Sequence, residues 1–225
     1  MEDGKIMSNL NVLYEDNHII VVEKPVNVLS QSDSTGDIDL LTMVKSYIKK
    51  EYNKPGNVYI GLVHRLDRPV GGVMVFARTS KAASRLNEQI KKHQMRKKYM
   101  AVVNGNFSDK TGQFHDFLKK LPDGNTVVDP SGKEAILNYE VLGFNQNTGH
   151  TLVSISLITG RHHQIRVQFS SRGHTLCGDQ RYGTFDGTQI ALFAYELSFY
   201  HPITKELLTF KVLPPRSGYW TEFTL

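Results

Sequence analysis

One short stretch of the chain, Gly61–Gly72, combines residue types that could do chemistry. It places Asp67 between Arg65 and Arg68, and a proline and two glycines follow. In an extended segment alternate side chains share a face, so Arg65 and Asp67 should point one way, and His64 and Arg68 the other. The proline cannot donate a backbone hydrogen bond and the glycines permit unusual backbone shapes, so we expect a bend after Asp67. A carboxylate at such a bend suits a reactive group, although a surface ion pair is the simpler alternative.

The composition indicates the partners and the compartment of the protein. Lysine and arginine (27) outnumber aspartate and glutamate (22), and the net charge of +5 favours a polyanionic partner such as nucleic acid. The single cysteine, Cys177, excludes an internal disulfide framework and fits a reducing compartment. No apolar run approaches the roughly 20 residues of a membrane helix, and no secretory signal follows Met1. We therefore expect a cytoplasmic protein that does not enter a membrane.

Short apolar runs bounded by turn residues predict more strands than helices, with many strands adjacent in sequence. This pattern is typical of an α+β fold with a mixed, largely antiparallel central sheet and flanking helices. Residues 1–11 are predicted to be a tail, and residues 12–225 a single domain. The predicted strands cover 12–14, 19–22, 58–62, 73–77, 98–103, 135–144, 151–158, 192–200 and 206–212. Between them we expect a helix over 40–48 capped by Asp39, a helix over 82–90 capped by Ser80, and a loop over 107–133 with a short strand near 126–128.

Basic residues follow the predicted helix over 82–90, with Glu88 the only acid between Lys81 and Lys98. A solvated helix face is the common explanation of such a run. The near absence of acids instead favours contact with phosphates. The candidate phosphate contacts here are Lys91, Lys92, Lys97 and Lys98.

A second candidate surface begins where Thr159 and Gly160 interrupt the strand pattern. A helix is predicted from Arg161 to about Phe169, with Gly173 as a C-terminal stop. Arg161 and Gln164 would lie near its start, where backbone amides point at a bound anion.

Four potential metal ligands lie in or after this helix, namely His162, His163, His174 and Cys177. Their spacing matches no strong zinc pattern, so we expect no metal. His64 and His163 are expected to make structural hydrogen bonds or, if protonated, to contact a nucleic acid.

Five sequence elements resemble the motifs of the RluA-type pseudouridine synthases. They follow one another in the family's order and span roughly Leu10–Pro214. The central motif, HRLD followed by a basic residue, stands here as His64–Arg68. The other four are a strand followed by KP, KxYxAxVxG, LxTGRxHQIR and GDxxYG, which stand as Ile20–Pro25, Lys97–Gly105, Leu157–Arg166 and Gly178–Gly183.

The resemblance implies an enzyme that isomerises uridine to pseudouridine in RNA without a cofactor, in a fold with a central RNA-binding cleft. It implies that Asp67 is the catalytic carboxylate and that Tyr99 is the active-site tyrosine. Arg166 would be the salt-bridge partner of Asp67 or, alternatively, a phosphate contact. The target base would be flipped out of the RNA, and Arg65 could fill the vacated space. Whether Asp67 attacks the base or the sugar, or removes a sugar proton, stays open.

The chain departs from the family pattern at two places. Val70-Gly71-Gly72 stands where many members have Thr-Ser-Gly, which could change how the turn after Asp67 is held. The segment Asn27–Ser32 replaces the usual loop ending in His-Pro. Because residues 1–11 leave no room for the N-terminal RNA-binding module of many relatives, we expect a catalytic domain alone, and a monomer.

Two rival functions follow from the same residues. A catalytically inactive RNA-binding protein of this fold would keep the basic residues, but a carboxylate between arginines repels phosphate and gives it no advantage. A phosphate-handling hydrolase using Asp67 and a histidine would need a metal cluster or a Walker-type loop, and no such glycine pattern is present. Ribosomal, transfer and messenger RNA all stay open as substrates.

Overall fold

The computed structural model describes residues 10–184 and 186–225 of the chain. They divide into two compact units. The first contains residues 10–95 with Glu196–Val212, and the second contains Arg96–Tyr195 with Leu213–Leu225. Most of the predicted N-terminal tail, residues 1–11, lies outside the described residues, and the single domain over 12–225 stays a prediction. In the part of the chain that is described, no helix is long and apolar enough to cross a membrane.

The strands of the first unit pair antiparallel around a buried centre. Asp16 shapes the first hairpin, because its Oδ1 accepts the backbone N–H groups of His18 and Ile19 at 2.8 Å each. All seven residues of the fourth strand are buried, as its continuous apolar run predicts. The strands are β1 (Asn11–Glu15), β2 (Ile19–Lys24), β3 (Gly61–Leu62), β4 (Gly71–Ala77) and β11 (Leu207–Lys211), with β10 (Leu192–Tyr200) contributing residues to both units.

Two helices complete the first unit. The helix α1 (Leu40–Glu51) begins after Asp39, whose side chain accepts the backbone N–H of Thr42 at 3.0 Å, as predicted. The helix α2 (Ser80–Lys91) is capped by Thr79, so the predicted cap at Ser80 is wrong by one residue. Thr79 has the extended backbone that a cap requires and accepts the N–H of Ala82 at 3.1 Å, whereas the helix already includes Ser80.

The second unit contains five antiparallel strands in the order β5-β9-β8-β6-β7. They are β5 (Arg96–Asn104), β6 (Thr111–Lys120), β7 (Thr126–Val128), β8 (Lys133–Asn145) and β9 (His150–Leu157). The predicted strands over 135–144 and 151–158 correspond to β8 and β9, and these two strands pair. The predicted loop over 107–133 is wrong because it contains β6. Only Phe114 and Leu118 of that strand are buried, so the apolar signal in the sequence is sparse.

Helical structure in the second unit is short. The helix α3 (Gln164–Ser170) begins three residues later than predicted, because His163 has a left-handed backbone with φ of 51°. A 3-10 helix (Gly218–Glu222) near the C-terminus buries Trp220. Within residues 10–184 and 186–225, three α-helices with mostly antiparallel strands confirm the predicted α+β class.

Candidate active site

Asp67 lies at the start of a tight turn in the first unit. The backbone N–H of Val70 donates to the carbonyl of Asp67 at 3.0 Å, which closes the predicted bend. Before the turn burial alternates along the chain, with His64 and Leu66 buried, Arg65 exposed and Asp67 half-buried. The alternation predicted from the spacing is therefore present up to Asp67.

Arg68 departs from this alternation because it lies within the turn. Its side chain is exposed and forms an ion pair with Asp37 at 2.7 Å, although each side chain is nearly half exposed. A pair this accessible contributes little to stability. Contact of Arg68 with RNA stays a prediction.

Two buried side chains fix the segment that leads to Asp67. The hydroxyl of Ser30 donates to the carbonyl of Leu66 at 2.7 Å and accepts its backbone N–H at 3.1 Å. The Nε2 atom of His64 accepts the backbone N–H of Val75 in β4 at 3.1 Å. An acceptor Nε2 carries no proton, so His64 has a structural hydrogen bond, and its contact with RNA stays a prediction. Ser30 belongs to the segment that departs from the family pattern, and nothing in its sequence context indicated this role.

Lys24 stabilises the turn that follows Asp67. Its ammonium is fully buried and donates to the carbonyls of Pro25 at 2.9 Å and Arg68 at 3.0 Å. Burial lowers the pKa of Lys24 from 10.5 to about 7, while the negative charge of Asp67 opposes the shift and Arg68 adds to it. The sequence indicated Lys24 only as part of the KP element after the second strand, because burial of a lysine has no local signature.

Tyr99 lies on β5 in the second unit, on the buried face of the sheet. It is 7% exposed and pairs across the strands with Ile155 of β9. Lys97 shares this face, and burial lowers its pKa. Lys98 points to the opposite face beside Ser156, so Lys97 and Lys98 do not form one contact surface.

Arg166 is buried in α3 and forms a bidentate ion pair with Asp179. Its Nε and one terminal nitrogen lie 2.8 and 2.6 Å from the two carboxylate oxygens. Burial alone would raise the pKa of Asp179, but the hydrogen bonds and charge of Arg166, with the backbone N–H groups of Arg181 and Tyr182, hold it below its usual value. The sequence indicated Asp179 only as part of the GDxxYG element. The pairing of Arg166 with Asp67 stays a prediction.

Arg161 and Gln164 frame the turn before α3. Gln164 is buried, and its Oε1 accepts from the Thr159 hydroxyl and from the backbone N–H of Arg161, both at 2.9 Å. Its Nε2 donates to the carbonyl of Ile136 at 3.1 Å. Arg161 is exposed and donates to the carbonyl of Glu134 at 2.7 Å. Gln164 thus holds the turn, while contact of either residue with RNA stays a prediction.

Some polar and basic side chains of α2 pack against the protein, and others are exposed to solvent. Gln89 receives the N–H of Tyr200 and donates to its carbonyl at 2.8 and 2.7 Å, and Arg85 donates to the carbonyl of Pro202 at 2.9 Å. One side of the helix therefore packs on the turn between β10 and β11. Lys91 and Lys92 are exposed at its C-terminal end, and Lys92 pairs with Glu88 at 2.7 Å.

The four potential metal ligands have other partners or no access to solvent. Within residues 10–184 and 186–225, no three His, Cys, Asp or Glu side chains are grouped as a metal would require. His163 bonds to Tyr182 at 2.7 Å and His174 to the carbonyl of Asn104 at 2.9 Å. Cys177 is buried, and burial raises the pKa of its thiol to about 12.

Comparison with known proteins assigns this arrangement of motifs to a family. A family model described as RNA pseudouridylate synthase matches residues 18–171, a range that includes Asp67, Tyr99 and Arg166. An RNA pseudouridine synthase of Bacillus subtilis, YjbO, described as uncharacterized, is 34% identical over 92% of this chain and 73% of that protein. The ribosomal large subunit pseudouridine synthase C of Buchnera aphidicola is 32% identical over 89% of this chain and 66% of that protein.

A solved structure supports the same fold. Human RNA pseudouridylate synthase domain containing 1 superposes with a TM-score of 0.75 and 21% identity, over 93% of this chain and 85% of that chain. At this identity the likeness concerns the fold. The chain spans between 66% and 73% of the length of the two bacterial relatives.

Proposed function

The chain belongs to the RNA pseudouridylate synthase family, a family of RNA isomerases with the motifs described above, and we propose that Asp67 is the carboxylate that drives the reaction. The observation that supports this role is the way its turn is held. The segment is fixed by hydrogen bonds from Ser30 to Leu66 and from Lys24 to the carbonyl of Arg68, on either side of Asp67. A reactive group needs a backbone that does not move, and this one is anchored at both neighbours.

The reaction exchanges one bond at the sugar for another. The bond from C1′ to the uracil nitrogen breaks, a bond from C1′ to C5 forms, and the hydrogen of C5 is released as the nitrogen gains a proton. A carboxylate stays ionised at neutral pH and can act as a nucleophile or as a base, so Asp67 suits either version of the chemistry.

The remaining candidates supply binding and orientation in this proposal. Arg65 shares the face of Asp67 and replaces the flipped base in the RNA stack. Tyr99 offers an aromatic ring to the uracil and a hydroxyl for proton transfer. Arg166 is the salt-bridge partner that orients the carboxylate of Asp67. Phosphates are contacted by four exposed side chains, those of Lys91, Lys92, Arg68 and Arg161.

The substrate proposed here is ribosomal RNA, with transfer RNA as the alternative. The relative from Buchnera aphidicola is named for the ribosomal large subunit, and this favours ribosomal RNA. A cytoplasmic location and a monomeric state are proposed from the sequence. An inactive RNA-binding protein is the competing function.

Tritium release from RNA labelled at uracil C5 tests the proposal. The wild type should release tritium from the ribosomal pool, and Asp67→Asn should release none while binding the same RNA within about twofold, since the side chain keeps its size and shape. Asp109→Asn, at an exposed position of the second unit, is the matched control and should behave as wild type. Normal release by Asp67→Asn would exclude this carboxylate, and tight binding without release by the wild type would favour the binding protein.

A further inference from the structure

Tyr182 lies at the centre of a hydrogen-bond network in the second unit. Its hydroxyl is 2.9 Å from the backbone nitrogen of Thr126, in β7, and 2.7 Å from Nδ1 of His163. These partners lie 56 and 19 residues away in sequence. The hydroxyl therefore joins β7, the Gly178–Gly183 loop and the residue that precedes α3.

The protons in this network can be assigned from the partners. The backbone N–H of Thr126 can only donate, so the Tyr182 oxygen accepts there. We assign the proton of Tyr182 to its bond with Nδ1 of His163, which is the arrangement for the His163 tautomer that is protonated at Nε2. Burial raises the pKa of Tyr182, which keeps its hydroxyl protonated.

His163 needs such a partner because its backbone is strained. It has a φ of 51°, a left-handed conformation that residues other than glycine seldom adopt, and it makes no side-chain cap to α3. The ring of His162 stacks on that of His163 at 3.7 Å, and the Thr126 hydroxyl is 2.9 Å from Nδ1 of His162. Both histidines are therefore held between Thr126 and Tyr182, and this fixes where α3 begins.

Arg166 lies three residues after His163, and Tyr182 supports it in two ways. The guanidinium of Arg166 lies 5.2 Å from the centre of the Tyr182 ring. The backbone N–H of Tyr182 also donates to Oδ1 of Asp179 at 3.2 Å, the oxygen that binds Arg166 at 2.6 Å. The charged and titratable groups around the hydroxyl and ring are Arg166 on α3, Asp179 and Arg181 in the loop, and His162 and His163.

We propose that Tyr182 is a positioning residue of the isomerase reaction, acting through His163 and Asp179 to hold Arg166 in place. This rests on the proposed function, in which Arg166 is the salt-bridge partner of Asp67. The role concerns the chemical step, because the Tyr182 hydroxyl is directed at protein groups. Its loss should therefore slow isomerisation without weakening RNA binding.

Tyr182→Phe tests the proposal, since it removes the hydroxyl and keeps the ring beneath Arg166. Tyr200→Phe, on an exposed tyrosine of the first unit, is the control. We expect Tyr182→Phe to lower the single-turnover rate of tritium release about tenfold, with RNA affinity within about twofold of wild type. In ¹⁵N spectra the His163 Nδ1 signal should be that of a hydrogen-bonded acceptor in the wild type and in Tyr200→Phe, and should change in Tyr182→Phe.

A second variant separates positioning from loss of folding. His163→Leu removes the acceptor, so it should also slow release about tenfold, and the double variant should be no slower than either single one. An unchanged rate in a folded Tyr182→Phe, additive losses in the double variant, or a His163 signal that ignores Tyr182 would each overturn the proposal. If Tyr182→Phe does not fold, the folded His163→Leu decides, and an unchanged rate there rejects the role. Absence of release by the wild type would reject the proposed function. The ¹⁵N spectra do not depend on activity, so they would still show whether Tyr182 and His163 are hydrogen-bonded.

Discussion

Lys24→Met should change how the stability of the protein depends on pH. The ammonium of Lys24 is fully buried and binds two backbone carbonyls at the Asp67 turn. Its pKa is about 7 in the folded protein, against an ordinary value of 10.5. Between these values the unfolded chain binds a proton that the folded protein releases. The free energy of unfolding therefore rises with pH across this window and is constant, for this group, below about pH 7.

The magnitude follows from the two pKa values. Each pH unit inside the window contributes up to about 1.4 kcal/mol. Between about pH 7.5 and about pH 9, where the folded-state group is partly titrated at the lower end, the wild type should gain about 2 kcal/mol relative to Lys24→Met. The difference between two pH values is the useful quantity. The variant also leaves two carbonyls without their donor, and that loss is the same at both pH values.

Urea unfolding followed by circular dichroism measures this difference. Wild type, Lys24→Met and Lys54→Met would be unfolded at both pH values, with Lys54 an exposed lysine after α1 as the control. Lys54→Met should keep the wild-type pH dependence, and only Lys24→Met should lose it. A wild type and a Lys24→Met variant that respond equally to pH would refute the reasoning, because the buried ammonium would then not release its proton on folding.

Two further outcomes are expected from other parts of the chain. Gly178→Ala should reduce stability by more than about 3 kcal/mol, because a Cβ there would lie 2.6 Å from the carbonyl oxygen of Gln189 at a φ of 72°. Gly187→Ala, with a similar φ of 78° and nothing within 4 Å, should cost only about 1 kcal/mol, and equal melting temperatures of the two variants would contradict this. Replacing Lys91 and Lys92 together by Gln should reduce the slope of log affinity for RNA against log salt by about 1.4 to 1.8. The same change at Lys45 and Lys49, exposed on α1, is the control, and an unchanged slope for Lys91 and Lys92 would put the phosphate contacts elsewhere.

The local features of the fold were predictable from neighbouring residues. The continuous apolar run of β4, the turn at Asp16 and the Asp39 cap of α1 each depend on residues a few positions apart. The sequence also determined the family, since five motifs stand in order along the chain, and with them Asp67 as the first candidate. Among the longer strands of the described residues only β6 was missed, because most of its residues are exposed and its apolar residues do not alternate regularly.

The tertiary structure decided how the candidate residues are held. Ser30 reaches Leu66 across 36 residues, Lys24 reaches Arg68 across 44, and Tyr182 reaches Thr126 across 56. It also separated Lys97 from Lys98, which the charge pattern had grouped. Burial, proton sharing and ion pairing depend on which distant segments fold together, so they leave no signature in the local sequence. Residue types and spacing therefore identified the chemistry, and long-range packing set the charges and hydrogen bonds around it.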